Sequence, residues 1–434
     1  MPRQLTFAAV AAVSVLALAA CKPPAPPPSQ AALLDPIGRD FIALALEVDN
    51  YDPGFVDAYY GPPEAQATAK TKPRTAEQLK AEAQRLMAAA EKVDPATLTP
   101  IEAKRRAYLI GQSKAAFTRL EMKGGKNMPF QDEAEALFGV RPDLKPLESY
   151  DAVLAKIEAL APGPGDLPSR VDAFNKRYIV PADKLDAVMK AAIAECRKRT
   201  MAHIALPTNE KFDLEFVKNK PWSGYNWYKG NGHSLIQVNT DLPVRIGRAV
   251  DLGCHEGYPG HHVLNLLNEE NLTKKRGWVE FAVNPLYGPQ SLISEGSANY
   301  GIELAFPGDD QLKFEKEVLY PLAGLDPKTA DAYDQMRKAS AGLVGAQNTI
   351  ADAYLAGRID KDTAIAQLMK YGPSAKPTAT QRLSFIDTYR SYIINYGIGK
   401  DMVQAHIEKA GDQDARWKAM ETLLSEPSVS SDLK

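Results

Sequence analysis

Hydrophobic residues recur every three or four positions along most of the chain, a spacing that predicts amphipathic helices. The first half carries six such segments: Leu33–Asp49, Ala76–Val93, Pro100–Glu121, Glu133–Phe138, Ser149–Leu160 and Ala182–Ala205. The last part carries five more, at 310–321, 327–357, 360–371, 378–395 and 399–424. Glycine and proline clusters separate many of these segments, as is typical of loops between helices. The pattern predicts a mainly α-helical protein.

The hydrophobic period changes between residues 210 and 240. Phe212–Val217 and Ser234–Asn239 alternate apolar and polar side chains, as half-buried strands do, and a turn-rich aromatic segment at 222–230 separates them. We therefore predict a small β-sheet inside a large helical domain of two lobes. The N-terminal lobe would span 32–205, and a second lobe at 206–426 would carry the site.

The N-terminus has the order of features expected of an exported lipoprotein. Arg3 supplies a positive charge, Leu5–Ala20 is apolar and uncharged, and small residues precede Cys21. This arrangement resembles the lipobox of bacterial lipoproteins and predicts a signal peptide at 1–20, with lipidation at Cys21. The proline-rich residues 21–31 would tether the domain to a membrane, and Lys22 favours the outer membrane, facing the periplasm. The alternative is an ordinary signal peptide that contains a chance cysteine.

Charge and cysteine content narrow the functional classes. The net charge of −2 is close to balance, so we expect no nucleic-acid partner. Beyond Cys21 only Cys196 and Cys254 remain, which excludes a disulfide framework and allows at most one bridge. Cys254 stands beside His255, and we favour a small buried residue next to a site over a chemical role for it. The oligomeric state stays open.

Three of the six histidines of the chain lie within eight residues, at His255, His261 and His262, and Glu256 follows the first of them. Imidazole and carboxylate groups are typical zinc ligands, and catalytic zinc sites leave one position open for water. Zinc lowers the pKa of that water to about 7, and a carboxylate beside the first ligand can act as the general base. The cluster predicts one zinc ion per chain, with Glu256 as the base.

The spacing of the histidines departs from the His-Glu-x-x-His pattern, because Pro259 occupies the position four residues after His255. On a straight helix a ligand seven residues away lies about 10.5 Å along the axis, too far to share one ion. The helix must therefore break, and the sequence Pro259-Gly260 can supply that break. We favour His261 as the second ligand, whereas His262 would act as an outer-shell donor or touch the substrate.

A carboxylate from another helix should complete the ligand set. Glu295 lies in an otherwise small and apolar helical segment, where a buried glutamate needs a partner. It is therefore the predicted third ligand, although a structural ion pair is the alternative. Asn299 and Glu303 lie on the same helix face and are candidates to orient the ligands.

Residues 255–262 resemble the His-Glu-x-x-Pro-Gly-His-His motif of the bacterial "domain of unknown function 885" family. Three further segments are similar to motifs of that family: 57–63, Glu295-Gly296 and 396–399. The resemblance covers about 55–410. It implies a helical, gluzincin-like metallopeptidase fold and a zinc-dependent peptidase.

Five other side chains are candidates for the reaction or for substrate binding. Tyr396 would donate to the developing oxyanion, and Arg390 would clamp a substrate carboxylate. Gln237 and Asn239 would face the substrate if their strand were a sheet edge beside the active helix. Tyr228 would belong to an aromatic wall. The alternative is a packed side chain for Tyr396, an exposed ion pair for Arg390 and packing within a hairpin for Tyr228.

The leading hypothesis is a zinc-dependent peptidase that hydrolyses short peptides in the cell envelope. Glu256 would take a proton from water and deliver it to the leaving amine. One alternative is a non-catalytic zinc-binding envelope lipoprotein, although a storage site needs no general base. Another is a zinc amidase that acts on cell-wall peptides.

Overall fold

The computed structural model describes residues 29–434, so the predicted signal peptide, Cys21 and most of the tether lie outside the described residues. Within that part the protein is mainly helical, as predicted, and it contains the predicted small sheet together with a second, two-stranded one. No helix in residues 29–434 combines the length and the apolar character needed to cross a membrane.

The helices of the N-terminal half are α1 Leu34–Val48, α2 Pro63–Thr71, α3 Ala76–Glu91, α4 Pro100–Lys123, α5 Phe130–Phe138, α6 Asp151–Leu160, α7 Leu167–Lys176 and α8 Leu185–Met201. Those that follow are α9 Gly247–Leu252, α10 His261–Asn268, α11 Pro289–Ala305, α12 Asp310–Phe314, α13 Tyr320–Ala323, α14 Ala330–Ala341, α15 Val344–Leu355, α16 Lys361–Tyr371, α17 Lys376–Tyr389, α18 Ile394–Glu408 and α19 Gln413–Ser425. Wider π-helical turns occupy Gly253–Gly257, Glu269–Lys274 and Glu315–Leu319.

Local sequence signals account for many helix boundaries. Thr75 and Thr99 each form a capping box at the start of α3 and α4, which satisfies free backbone N–H groups. Helices α2 and α7 were not predicted, because both are short and bury few residues, so they show little apolar periodicity.

The five strands are β1 Val56–Tyr59, β2 Lys211–Val217, β3 Gly224–Tyr228, β4 His233–Asn239 and β5 Val283–Pro285. The predicted sheet is present and has the order β2-β4-β3, with β2 parallel and β3 antiparallel to β4. Strand β3 was not predicted, because its residues lie in the aromatic, turn-rich segment. β4 is the central strand, so the idea that it forms a substrate-binding edge is wrong.

Contacts between the N-terminal helices and the second half shape the site. β1 pairs antiparallel with β5, which lies more than two hundred residues later in the chain. The buried Arg105 guanidinium pairs with Glu280, with Nε 2.5 Å from Oε1. These contacts connect residues on both sides of the predicted boundary at 205. They also place β1 and β5 in the wall of the cleft that contains the candidate site.

α11 and α18 cross with their backbones in close contact. A Cβ atom on Gly296 would lie 2.4 Å from the carbonyl oxygen of Gly399, and one on Gly399 would lie 2.6 Å from that of Leu292. Only glycine permits this approach. Two of the glycines in the family-like motifs therefore serve to bring Tyr396 and Glu295 together.

Cys196 and Cys254 form a disulfide that joins α8 to the π-helical turn, with their Cα atoms 5.4 Å apart. The sequence allowed one such bridge, and Cys254 is buried next to the site as expected. Sequence could not pair the two cysteines, because the contact depends on how α8 packs against the turn. The bridge holds the residue immediately before His255.

Candidate metal centre

The π-helical turn at Gly253–Gly257 carries His255 and Glu256, and α10 starts anew at His261. Between them the chain leaves the helix at Tyr258 and turns sharply at Gly260. The Gly260 N–H donates to the Cys254 carbonyl at 3.0 Å, and a Cβ at Gly260 would lie 1.8 Å from the His255 carbonyl oxygen. The break expected from Pro259-Gly260 is present, and it brings His261 back beside His255.

His255, His261 and Glu295 form the one cluster of metal-ligating groups found in residues 29–434. Each offers an atom that lies within 4.8 Å of the other two. The two Nε2 atoms lie 3.1 Å (His255) and 3.7 Å (His261) from the Glu295 oxygens. Ligands about 2 Å from one tetrahedral zinc ion are separated by about 3.3 Å, so the spacing fits one ion.

The partners of His255 leave the nitrogen that faces the cluster free to coordinate. Asn299 donates through Nδ2 to the Tyr396 carbonyl at 3.0 Å, so its Oδ1 faces His255 Nδ1, also at 3.0 Å. His255 Nδ1 therefore carries the proton, and the lone pair on Nε2 points at Glu295 Oε2. That oxygen is buried and receives no hydrogen bond from the described residues. Two facing lone pairs require a proton or a cation between them, which is the arrangement of a metal site.

Glu295 and His261 are also held from outside the cluster. The Tyr392 hydroxyl donates to Glu295 Oε1 at 2.6 Å, and Ser294 Oγ lies 3.0 Å from His261 Nδ1. These contacts fix the direction of both ligands, as outer partners do in metal sites.

The charges of the cluster are strongly coupled. Burial would lower the pKa of His255, but Glu295 raises it to about 9. Burial lowers the pKa of His261 to about 4, and His255 acts in the same direction. Burial would raise the pKa of Glu295, but the two histidines and Tyr392 lower it. A buried carboxylate that stays ionised beside one neutral histidine suits a divalent cation.

Glu256 lines the cleft next to the cluster. Burial raises the pKa of its carboxyl to about 7, and Oε2 has no hydrogen-bond partner in residues 29–434. Its backbone carbonyl accepts from Asn226 Nδ2 at 2.7 Å, and a Cβ at Gly224 would lie 2.6 Å from its Oε1. The edge strand β3 therefore positions a carboxylate whose Oε2 is left unpaired by the described residues.

Tyr396 also lines the cleft, with its ring stacked beside that of His255 at 6.2 Å between centroids. Burial raises the pKa of its hydroxyl well above the ordinary value, so the group stays protonated. The neighbouring Tyr392 already donates to Glu295, whereas the Tyr396 hydroxyl makes no hydrogen bond in the described part of the chain.

His262 lies apart from the cluster and is fully buried. Its Nδ1 lies 2.8 Å from Ser234 Oγ, and its Nε2 lies 3.0 Å from Glu210 Oε2. Glu210 also accepts from Tyr258 and from Arg197 Nε at 2.7 Å. The expectation that His262 acts as an outer-shell donor or touches substrate is therefore wrong, because it is enclosed in a separate polar network under α10.

Arg390 and Tyr228 are likewise occupied elsewhere. Arg390 Nε donates to the buried Glu133 at 2.7 Å, and Tyr228 is 2% exposed and donates its hydroxyl to Glu269. Neither lines the cleft, so their predicted contacts with substrate are not supported.

Gln237 and Asn239 lie on the central strand β4 and bond within the sheet region. Gln237 donates to Glu215 at 2.6 Å, and the 5% exposed Asn239 donates to the carbonyls of Lys220 and Trp222. The edge beside the active turn is β3, so these two residues do not face a substrate there.

The cleft contains residues that sequence reasoning did not assign to it. Asp57 projects from β1 and accepts from the Tyr225 hydroxyl, and burial raises the pKa of Asp57 to about 6. The family-like segment at 57–63, which begins at Asp57, was the available signal. Tyr392 could have been found from its position one helical turn before Tyr396.

No protein-family model matches the sequence, and no curated protein matches it. Among solved structures, a protein described as a lipoprotein from Colwellia psychrerythraea shares 16% identity, with a TM-score of 0.50. The match covers 83% of this chain and 66% of that one, so this chain spans just under two thirds of its length. At this identity the likeness shows the fold alone.

Two further structures have lower scores. A lipoprotein of unknown function from Shewanella oneidensis has 13% identity and a TM-score of 0.45, over 83% of this chain and 76% of that one. An M32 carboxypeptidase from Deinococcus radiodurans has 14% identity and a TM-score of 0.36, over 91% of both chains. Scores in this range carry no argument about function.

Proposed function

We propose that this protein is a zinc-dependent peptidase that hydrolyses short peptides in the cell envelope. The observation that carries the proposal is the buried Glu256 carboxylate, unpartnered within the described residues, beside the convergent His255, His261 and Glu295. A storage site would need the three ligands but not a free carboxylate at the wall of a cleft.

The three ligands would hold the ion. Zinc in such a site acidifies a water molecule and polarises the scissile carbonyl. Glu256 takes the proton from the attacking water and delivers it to the leaving amine, so that the C–N bond breaks as a C–O bond forms. The protonated Tyr396 hydroxyl donates to the oxygen that becomes negative.

The cleft is open to solvent and is lined by polar groups on several elements, among them Asp57, Tyr225 and Gln290. Polar groups that converge on a cleft can bind and orient a short peptide. The resemblance to the "domain of unknown function 885" family supports the same reaction class.

We further propose that the chain is lipidated at Cys21 and held at the outer membrane, facing the periplasm. The order of charge, apolar run and cysteine supports this location. The Cys196–Cys254 bridge agrees with it, because such bridges persist in oxidising compartments.

The test measures zinc content and peptide turnover in the wild type and in three variants. We expect about one zinc per wild-type chain and its loss in His255→Ala. Glu256→Gln should keep the zinc and lose at least about 100-fold in kcat, the usual contribution of a general base. Glu303→Gln is the matched control, because this exposed glutamate on α11 pairs with Lys400 away from the cleft. Full activity in Glu256→Gln, or no zinc uptake by the wild type, would refute the proposal.

A further inference from the structure

The cleft adjoins a second cavity beside His255 and Glu256. Six residues border both spaces: Trp222, Gly224, His255, Glu256, Phe385 and Tyr396. The candidate scissile position therefore lies between two chambers, and the groups that line the second chamber can recognise the part of a substrate beyond the cleaved bond.

The second chamber is lined by an arginine without a carboxylate partner. Arg382, on α17, forms no ion pair within residues 29–434, and its hydrogen bonds there use only Nη1, to the Gly372 carbonyl at 2.7 Å and to Ser374 Oγ at 3.5 Å. Its Nε and Nη2 groups have no partner among the same residues. Those two N–H groups lie on one edge of the guanidinium and form the fork that binds a carboxylate through two parallel hydrogen bonds.

The other charged groups near Arg382 do not neutralise it. Asp251 borders the same chamber, but its carboxylate lies 3.4 Å from Arg248 Nη1 and 3.8 Å from Arg337 Nη1. Arg245 borders the adjoining space and also forms no ion pair within the described residues. Burial lowers the pKa of Arg382 to about 10, and Arg245 acts in the same direction. A partly desolvated cation beside a second cation is a strong site for an anion.

Arg382 is placed a short distance from the candidate scissile position. Phe385 and Tyr389 follow it at three and seven residues on α17, so the three lie on one face of the helix. Phe385 borders both spaces, Tyr389 borders the cleft and Arg382 borders the second chamber. The Phe385 ring lies 5.9 Å from that of Tyr396, which packs beside His255. Along the helix axis Arg382 lies about 4.5 Å from Phe385. This distance is comparable to the length of one extended peptide residue, about 3.5 Å.

We propose that Arg382 binds the free α-carboxylate of the peptide substrate and that the enzyme is a carboxypeptidase. This inference rests on the proposed peptidase function and adds the end of the peptide that is attacked. Water adds to the carbonyl next to the C-terminal segment, the C–N bond breaks, and the released amine takes the proton. The products are a shortened peptide with a new carboxylate and a free C-terminal residue or short fragment. Arg382 thus takes the role that the sequence had indicated for Arg390.

The test compares a mixture of N-acetylated tetrapeptides with the same mixture amidated at the C-terminus. With zinc-loaded wild type we expect the free acids to be hydrolysed about 10- to 100-fold faster in kcat/KM, the usual effect of a hydrogen-bonded charge. Mass spectrometry should show release from the C-terminus. Equal rates for acids and amides would overturn the inference while leaving the peptidase proposal intact.

Variants of Arg382 test whether this residue causes the preference for free acids over amides. Arg382→Gln should remove the preference for acids over amides, and Arg382→Lys should retain part of it. Arg39→Gln is the matched control, because Arg39 is exposed on α1 away from both chambers. If Arg382→Gln keeps its thermal stability and the full preference, Arg382 is not the carboxylate site.

A binding measurement separates the two proposals. Zinc-loaded Glu256→Gln is titrated calorimetrically with an acid and with its amide, and tighter binding of the acid is expected. If the wild type hydrolyses neither mixture but this variant prefers the acid, the peptidase proposal fails and the Arg382 site stands. Equal affinities for acid and amide would overturn the Arg382 site.

Discussion

Replacing His261 and His262 one at a time tests which of these adjacent residues serves the metal. His261 faces Glu295 in the cleft, whereas His262 is enclosed between Ser234 and Glu210. His261→Ala should therefore remove zinc binding and leave the metal-free fold nearly unchanged. His262→Ala should weaken the fold and leave the zinc affinity of the folded protein nearly unchanged.

The cost of His262→Ala can be estimated from its contacts. The substitution removes one partner of a buried, ionised carboxylate, which typically costs about 3–5 kcal/mol. Glu210 keeps Arg197 and Tyr258, so we take the lower end, about 3 kcal/mol. An unfolding entropy of about 2.1 cal/mol/K per residue over roughly 400 residues is about 0.85 kcal/mol/K. The expected fall in Tm is therefore about 3–4 °C.

The assay is thermal unfolding of the metal-free and zinc-loaded forms, together with a zinc titration. Loss of an outer partner weakens metal binding about 10- to 100-fold, so loss of the ligand His261 should weaken it by more than about 100-fold. The rise in Tm on adding zinc should then disappear in His261→Ala and persist in His262→Ala. If His262→Ala loses zinc affinity while its metal-free Tm is unchanged, the assignment is refuted.

Two further predictions concern stability. Replacing both Cys196 and Cys254 with alanine opens a loop of 58 residues in the unfolded chain, which lowers the free energy of unfolding by about 4 kcal/mol. The Tm measured by calorimetry should therefore fall by about 5 °C. An unchanged Tm would contradict the bridge. Burial raises the pKa of Glu315 to about 7, although the positive charge of Arg337 acts in the opposite direction. The folded protein therefore binds the Glu315 proton more tightly than the unfolded chain does. The stability from this proton is lost as the pH rises from about 4.3, the pKa in the unfolded chain, through 7. The Tm of Glu315→Gln relative to wild type should therefore rise between pH 5 and pH 8, and a flat difference would show that Glu315 titrates normally.

The sequence predicted the elements that depend on local pattern. Helical periodicity located α1, α3 and α4 within two residues at each end, because each buries one apolar face along its length. Alternation located β2 and β4, but β3 was missed because its aromatic residues lie among turn formers. The clustering of histidines, which are few in this chain, and a glutamate in an apolar helix also indicated His255, His261 and Glu295. The fold brings these three groups together.

Tertiary structure decided what depends on neighbours distant in the chain. Adjacent histidines are equivalent in a motif, and they separate only because α10 restarts after Gly260 and turns His262 towards Glu210. Arg382 lies within α17 and Arg390 directly follows that helix, but Glu133 neutralises Arg390, whereas no carboxylate pairs with Arg382 in the described chain. Packing between elements distant in the chain decides whether a charged side chain has a partner within the protein or is available for a ligand. The local sequence does not determine that packing.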